Sequence, residues 1–247
     1  MLLIDLGNSS MKAQWWQADV LQSSCNIRIR RGWQQIFATY LHDVQAKNCC
    51  YASVPGSEVH RDLLKLLSKH FNKEEVHSFA AQQYCAGVTS AYQQPHRLGV
   101  DRWLALLGGY GMSNTDAMII DAGSAITVDL LRKDGQHLGG AILPGFNTSL
   151  ERFKDMLHVA DFNHPDINAN ELPGCSTESC IHINYGDSVE SYLGALVNRW
   201  FALLADDAIL IVSGGDASLV ETNAEHATLF VPDLVFRGMR QQLESRE

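Results

Sequence analysis

MLLIDLGNSSMKAQWW at residues 1–16 and MIIDAGSAITVDLL at residues 118–131 follow one plan: an apolar run enters Asp-x-Gly, passes small hydroxyl residues and becomes apolar again. The first reads as a strand over 2–5, a tight turn over 6–10 and a returning strand over 11–16, whose adjacent Trp15 and Trp16 face opposite sides. The second reads as a strand over 117–121, a turn over 122–124 and a returning strand over 125–131. Aligning 1–14 with 117–130 pairs Asp5 with Asp121, Gly7 with Gly123 and Asn8 with Ser124, a candidate internal repeat. Two related lobes are therefore expected, 1–114 and 115–247, with the boundary between Met112 and Asp116.

The turns carry the chemistry. Glycine there permits positive φ and close approach, so successive N–H groups can converge on an anion, and the hydroxyls add donors. A carboxylate beside a phosphate needs a cation between them, so Asp-x-Gly reads as metal plus phosphate. A plain hairpin whose Asp bonds the backbone competes with that reading for a single copy, and recurrence on matching frameworks favours the ligand. Two turns facing each other would hold a polyphosphate from both sides. No G-x-x-x-x-G-K-[ST] occurs, and GGYGM follows a helical pattern, the wrong context for a dinucleotide turn.

Outward from the turns, strands alternate with helices. Helical spacing covers 32–44, 57–71, 101–112, 147–157 and 187–205, and buried-strand patterns cover 49–54, 137–145 and 208–213. In the second helix Ser57-x-x-His60 is a cap, and Leu63, Leu64, Leu66 and Leu67 form one stripe. The chain of 247 residues is 46% hydrophobic, enough for a substantial core. A formal net charge of −9 without a Lys/Arg cluster argues against a nucleic-acid partner. The start lacks a signal-peptide pattern and no apolar run reaches membrane-span length, so no membrane partner and a cytoplasmic location are expected. Six cysteines without a CxxC pair predict reduced, mostly buried thiols.

HRLGVDRW at 96–103 places Asp101 and Arg102 in the first turn of a helix. Such an acid can accept a proton from a substrate hydroxyl while the Arg pairs with an anion; a helix cap beside a solvated charge is the competing reading. In SGGDA, Gly214 and Gly215 offer a flat seat for a base, or a plain left-handed turn. Alternation in DAGSAITVD puts Asp121, Gly123, Ala125, Thr127 and Asp129 on one strand face, leaving Asp129 either in the site or a surface charge at the strand end.

DLGNSSMK, LGVDRW, DAGSAITVD, GGAILPG, SGGDA and PDLVFRGM occur in this order along nearly the whole chain, and the ordered set resembles the type III pantothenate kinases. The resemblance implies an α/β fold of two duplicated actin-like (ribonuclease H-like) lobes with the nucleotide cleft between them. It implies ATP-dependent phosphorylation of pantothenate to 4'-phosphopantothenate in coenzyme A biosynthesis, with ATP, Mg²⁺ and K⁺ or NH₄⁺, by a homodimer. By the same resemblance ATP is held at Asp5, Leu6, Gly7, Asn8, Ser9, Ser10, Met11, Lys12 and Ser124, Asp101 is the catalytic base, and Asp121 is the monovalent-cation ligand. Tyr92, Gly99, Val100, Asp101 and Arg102 match the pantothenate site, and Thr177 matches a residue that reaches substrate across the dimer interface. Ser9 and Ser124 stand where Thr is usual, keeping the hydroxyl, and Asn184 stands where Gly is common, a turn that Asn tolerates. The dimer is also expected from a stripe of Tyr192, Leu196, Trp200 and Leu203, which equally suits a lobe core. Two rival readings remain: a non-catalytic nucleotide-binding accessory protein of the same fold, against which Asp101 speaks, and a polyphosphatase, for which no water-orienting Glu or Gln motif is found.

Overall fold

The apolar runs become two five-stranded sheets with one topology. The structure, a computed structural model, describes residues 1–157, 173–220 and 226–245. The chain divides into two compact units, Met1–Ser113 with Asp134–Gly139 and Asp233–Glu247, and Asn114–Lys133 with Gly140–Pro232.

In the first unit β1 (Leu2–Leu6), β2 (Ser10–Gln17), β3 (Val20–Arg28), β4 (Cys49–Ser53) and β5 (Val76–Ser78) lie in the order β3-β2-β1-β4-β5. β1 is antiparallel to β2 and parallel to β4, and as a central strand it is apolar on both faces. A bulge between Trp15 and Trp16 breaks the β2–β3 register. α1 (Trp33–Asp43) and α2 (Glu58–Leu67) cover the sheet, and Phe37, Leu63 and Leu67 pack with Leu2, Ile4 and Met11. The Ser57 hydroxyl accepts a hydrogen bond from the His60 N–H at 3.0 Å, which starts α2 where its sequence cap predicts. A small hairpin follows, β6 (Tyr84–Cys85) and β7 (Val88–Thr89), turning through Ala86 and Gly87, both at positive φ.

α3 (Val100–Tyr110) closes this unit against the C-terminal helix. A Cβ at Gly108 would meet the Leu234 carbonyl, and one at Gly238 would meet the Leu104 carbonyl, so the two backbones touch at reciprocal glycines. That contact holds the final helix to the first unit.

The second unit repeats the sheet: β8 (Ala117–Ala122), β9 (Ala125–Leu131), β10 (His137–Pro144), β11 (Ile209–Ser213) and β12 (Thr228–Phe230), in the order β10-β9-β8-β11-β12. α4 (Phe146–Leu157) and α5 (Thr177–Phe201) follow β10, and α6 (Leu234–Glu244) is the final helix described above. Buried Asp116 accepts the N–H groups of Lys133 at 2.8 Å and Ala205 at 2.9 Å, tying β9 to the chain after α5. The core is built from Met118, Ile120, Val128, Leu193, Leu196, Val197 and Phe201.

Several expectations change. α5 starts at Thr177, well before 187, so Asn184 lies inside a helix and not at a turn. The expected stripe on α5 is split: Leu196 is in the core and Trp200 packs on it, whereas Tyr192 is exposed and Leu203 lies exposed beyond the helix end. Asp129 is buried, not a surface charge. Cys49, Cys50 and Cys85 are buried and Cys25 half-buried, its thiol pushed up to about 11 by burial, but Cys175 and Cys180 are exposed.

Candidate functional site

Each hairpin delivers an Asp, a glycine and small polar residues to the carboxyl end of a central strand. In the first, Leu6 pairs with Met11 around Gly7, Asn8, Ser9 and Ser10; in the second, Ala122 pairs with Ile126 around Gly123, Ser124 and Ala125. The first turn is therefore one residue longer, and the repeat that aligns the incoming strands slips by one on the outgoing ones. The cross-strand partner of Asp5 is Lys12, and that of Asp121 is Thr127. On the other side Asp5 neighbours Ala52 of β4, and Asp121 neighbours Ser213 of β11. Opposed residues share a face, so Asp5 has a cation beside it where Asp121 has two hydroxyl residues.

The glycines work differently from expectation. Neither Gly7 nor Gly123 has positive φ. The Gly7 N–H donates to the Ser10 carbonyl at 2.9 Å and the Gly123 N–H to the Ala125 carbonyl at 3.0 Å, so both donors are used inside their turns. What the first turn exposes is Gly7, Asn8 and Ser9, with Ser10 half-buried. Leu6 and Met11 point into the core, so their side chains face no ligand.

The second turn is braced by the other glycine motifs. The Ser124 carbonyl accepts the Gly145 N–H at 3.1 Å and the Thr148 hydroxyl at 2.8 Å, and a Cβ at Gly145 would strike the Gly123 carbonyl. Gly214, at φ 100°, lies so close to the Ala122 backbone that no side chain fits, while Gly215 meets nothing. Asp216 accepts from the Asn147 side chain at 3.1 and 3.2 Å. DAGSAITVD, GGAILPG and SGGDA thus converge within the second unit. Thr177 is exposed at the start of α5, capped by Ser176.

The remaining residues gather in the first unit. Gly99 precedes α3 without a side-chain cap, and exposed Asp101 folds back so that its Oδ1 accepts the Arg102 N–H at 2.8 Å. Its Oδ2 has no hydrogen-bond partner among the described residues. A Cβ at Gly99 would lie 2.5 Å from Oδ1, so glycine makes room for this carboxylate. Gly99→Ala is therefore expected to rotate Asp101 away and lower kcat about tenfold or more, with the melting temperature within a few degrees of the parent. Calorimetry beside steady-state rates checks both. Val100 is half-buried. Arg102, only 4% exposed, donates from Nη1 to the Tyr92 hydroxyl at 3.0 Å, with its guanidinium carbon 5.8 Å from the Tyr92 ring centroid.

Sequence reading missed His137, which is fully buried and stacks on Tyr92 with centroids 6.3 Å apart and ring planes 10° apart. A lone His before Gly-Gly carries no local pattern, and only the tertiary stack reveals it. Among the described residues no three His, Cys, Asp or Glu side chains converge on one point.

A family model described as type III pantothenate kinase matches residues 1–186. The type III pantothenate kinase of Alcanivorax borkumensis is 31% identical over 249 residues, covering 98% of this chain and 97% of that protein. Among solved structures, a Campylobacter jejuni protein described as a Baf family transcriptional activator aligns with a TM-score of 0.60 at 23% identity, covering 100% of this chain and 98% of that one. Component A of the Acidaminococcus fermentans (R)-2-hydroxyglutaryl-CoA dehydratase aligns with a TM-score of 0.55 at 12% identity, covering 99% and 96%. At such identities the likeness concerns the fold, which is the duplicated actin-like one.

Proposed function

The chain belongs to the type III pantothenate kinase family, and from that premise we propose how its residues divide the work. The enzyme phosphorylates pantothenate with ATP in coenzyme A biosynthesis. Asp101 accepts the proton of the attacking hydroxyl. The observation that carries this assignment is its geometry: one carboxylate oxygen is fixed by a backbone N–H and the other is left for substrate. Phosphoryl transfer passes through a loose transition state in which base assistance arrives late, so a modest base suffices and positioning dominates.

Arg102 and Tyr92 orient the acceptor. Arg102 donates to the Tyr92 hydroxyl, and its planar guanidinium is the kind of cation that suits the pantothenate carboxylate. Gly99 and Val100 form the adjacent backbone. Asn8, Ser9, Ser10 and Lys12 supply donors to the phosphates from the first turn, and Ser124 from the second.

Asp5 would be the carboxylate for Mg²⁺, which would supply positive charge to the ATP phosphates. Asp121 has the hydroxyl residues Thr127 and Ser213 as its strand neighbours, oxygen donors of the kind a monovalent cation takes, and K⁺ or NH₄⁺ there would supply positive charge near the nucleotide. An acidic protein thus holds a polyanion with imported charge.

Dimerisation through the second unit is supported by Met156 on α4 and Tyr192 on α5, large apolar side chains exposed at 62% and 56%. Thr177, exposed at the start of α5, would then reach a neighbouring subunit's substrate. No described helix is long and apolar enough to cross a membrane.

Purified protein with ATP, Mg²⁺ and pantothenate is expected to yield a product one phosphate heavier by mass, faster with K⁺ than with Na⁺ at equal ionic strength. Sedimentation at assay concentration should give twice the chain mass. Absence of the product would refute the catalytic assignment, and a fully active monomer would refute the shared site.

A further inference from the structure

We infer that His137 is a positioning residue for pantothenate, acting through the ring of Tyr92; the inference rests on the assignment of Tyr92 to the substrate site. The segment 134–139 reaches back from the second hairpin's strands and is counted with the first unit. It is fastened there by the Thr89 N–H to the Gly135 carbonyl at 2.9 Å and by a bridge between Thr89 and Gln136. A Cβ at Gly135 would strike the Gly87 carbonyl, so the attachment is a backbone-to-backbone contact.

His137 follows directly on this attachment. Its ring lies nearly parallel to that of Tyr92, and its Nδ1 accepts the N–H of Ala91 at 3.4 Å, so it touches both the side chain and the backbone step before it. On the other side of the same loop, the Ser90 hydroxyl accepts the Tyr92 N–H at 3.1 Å, and Gln83 donates to the Ser90 carbonyl at 2.9 Å. The peptide is therefore held from two directions and the ring has one stacked neighbour on the His137 side. Tyr92 in turn accepts from Arg102. A tyrosine ring released from its stack regains rotamer freedom that must be lost again on binding, a cost felt in substrate affinity and not in the chemical step. His137 is thereby assigned to the back of Tyr92 and not to the chemical step.

The test compares His137→Ala, His137→Phe, His137→Gln and Tyr92→Ala in the full-length protein, measuring kcat, KM for each substrate, the melting temperature and pantothenate binding by calorimetry. His137→Ala is expected to raise the pantothenate Kd and KM about three- to tenfold while kcat and KM for ATP stay within about twofold. His137→Phe, which keeps a ring, is expected to remain within about twofold of the parent, and His137→Gln, which keeps an acceptor without a ring, to behave as Ala does. Adding Tyr92→Ala to His137→Ala should cost less than the two separate effects combined. The proposal fails if the Ala and Gln variants bind pantothenate as the parent does, or if Phe is as weak as Ala. It also fails if kcat, ATP affinity and melting temperature fall together with pantothenate affinity, the mark of a merely structural residue. Should Tyr92→Ala alone leave pantothenate binding unchanged, the substrate assignment of Tyr92 is wrong, and the two failures are thereby told apart.

Discussion

Asp101→Asn should lower kcat about ten- to a thousandfold, equivalent to about 1.4–4 kcal/mol of transition-state stabilisation, while the protein stays folded. Asparagine keeps the shape and one carbonyl oxygen, so the bond from the Arg102 N–H can persist and α3 keeps its start. What is lost is the oxygen proposed to take the proton. The lower bound reflects late proton transfer in a loose transition state, where a base contributes less than in acyl transfer. Gly99 sharpens the test. If glycine is required there only to admit the carboxylate, Gly99→Ala added to Asp101→Asn should cost little more than Asp101→Asn alone. Wild-type turnover in Asp101→Asn would reduce the residue to a helix cap.

The sequence made the two hairpins legible because central strands are continuous apolar runs and their turns are polar and glycine-containing, a contrast that survives without tertiary information. It hid β3, whose VLQSSCNIR is exposed along most of its length at a sheet edge and so carries no apolar alternation. The grouping of α6 with the first unit was also hidden, since it depends on Gly108 and Gly238 meeting each other's helix backbones across a long separation in the chain. The residues proposed for the site show the same division. Asp5, Asp101 and Asp121 announce themselves beside glycine, where a carboxylate next to a turn or helix start is conspicuous. The chemical difference between the two hairpins does not: it comes from one residue of turn length, which sets Lys12 opposite Asp5 but Thr127 opposite Asp121. A repeat aligned on its incoming strands cannot show that slip, because pairing register is fixed by the turn as built.

That slip leads to the second large effect. Asp121→Ala should abolish activation by K⁺ and lower kcat/KM for ATP about ten- to a hundredfold. Asp121 has hydroxyl residues as its strand neighbours, and removing its carboxylate removes the charge proposed to draw a cation to this turn. A unit charge about 4 Å from a phosphate oxygen is worth about 4 kcal/mol at an effective dielectric near 20. Partial exposure of the turn and mobile salt reduce that, and about 1.4–2.8 kcal/mol remains as the expected loss. Asp121→Asn keeps an oxygen ligand without the charge, so K⁺ should still activate, only weakly and at higher concentration. Ionic strength is the confounder, and Na⁺ at matched concentration must fail to replace K⁺ in the parent enzyme. Calorimetric titration of ATP with and without K⁺ gives a readout independent of turnover: the two isotherms should differ for the parent and coincide for Asp121→Ala. Full K⁺ activation in the Ala variant would move the cation site elsewhere and leave Asp121 a structural partner of Thr127 and Ser213.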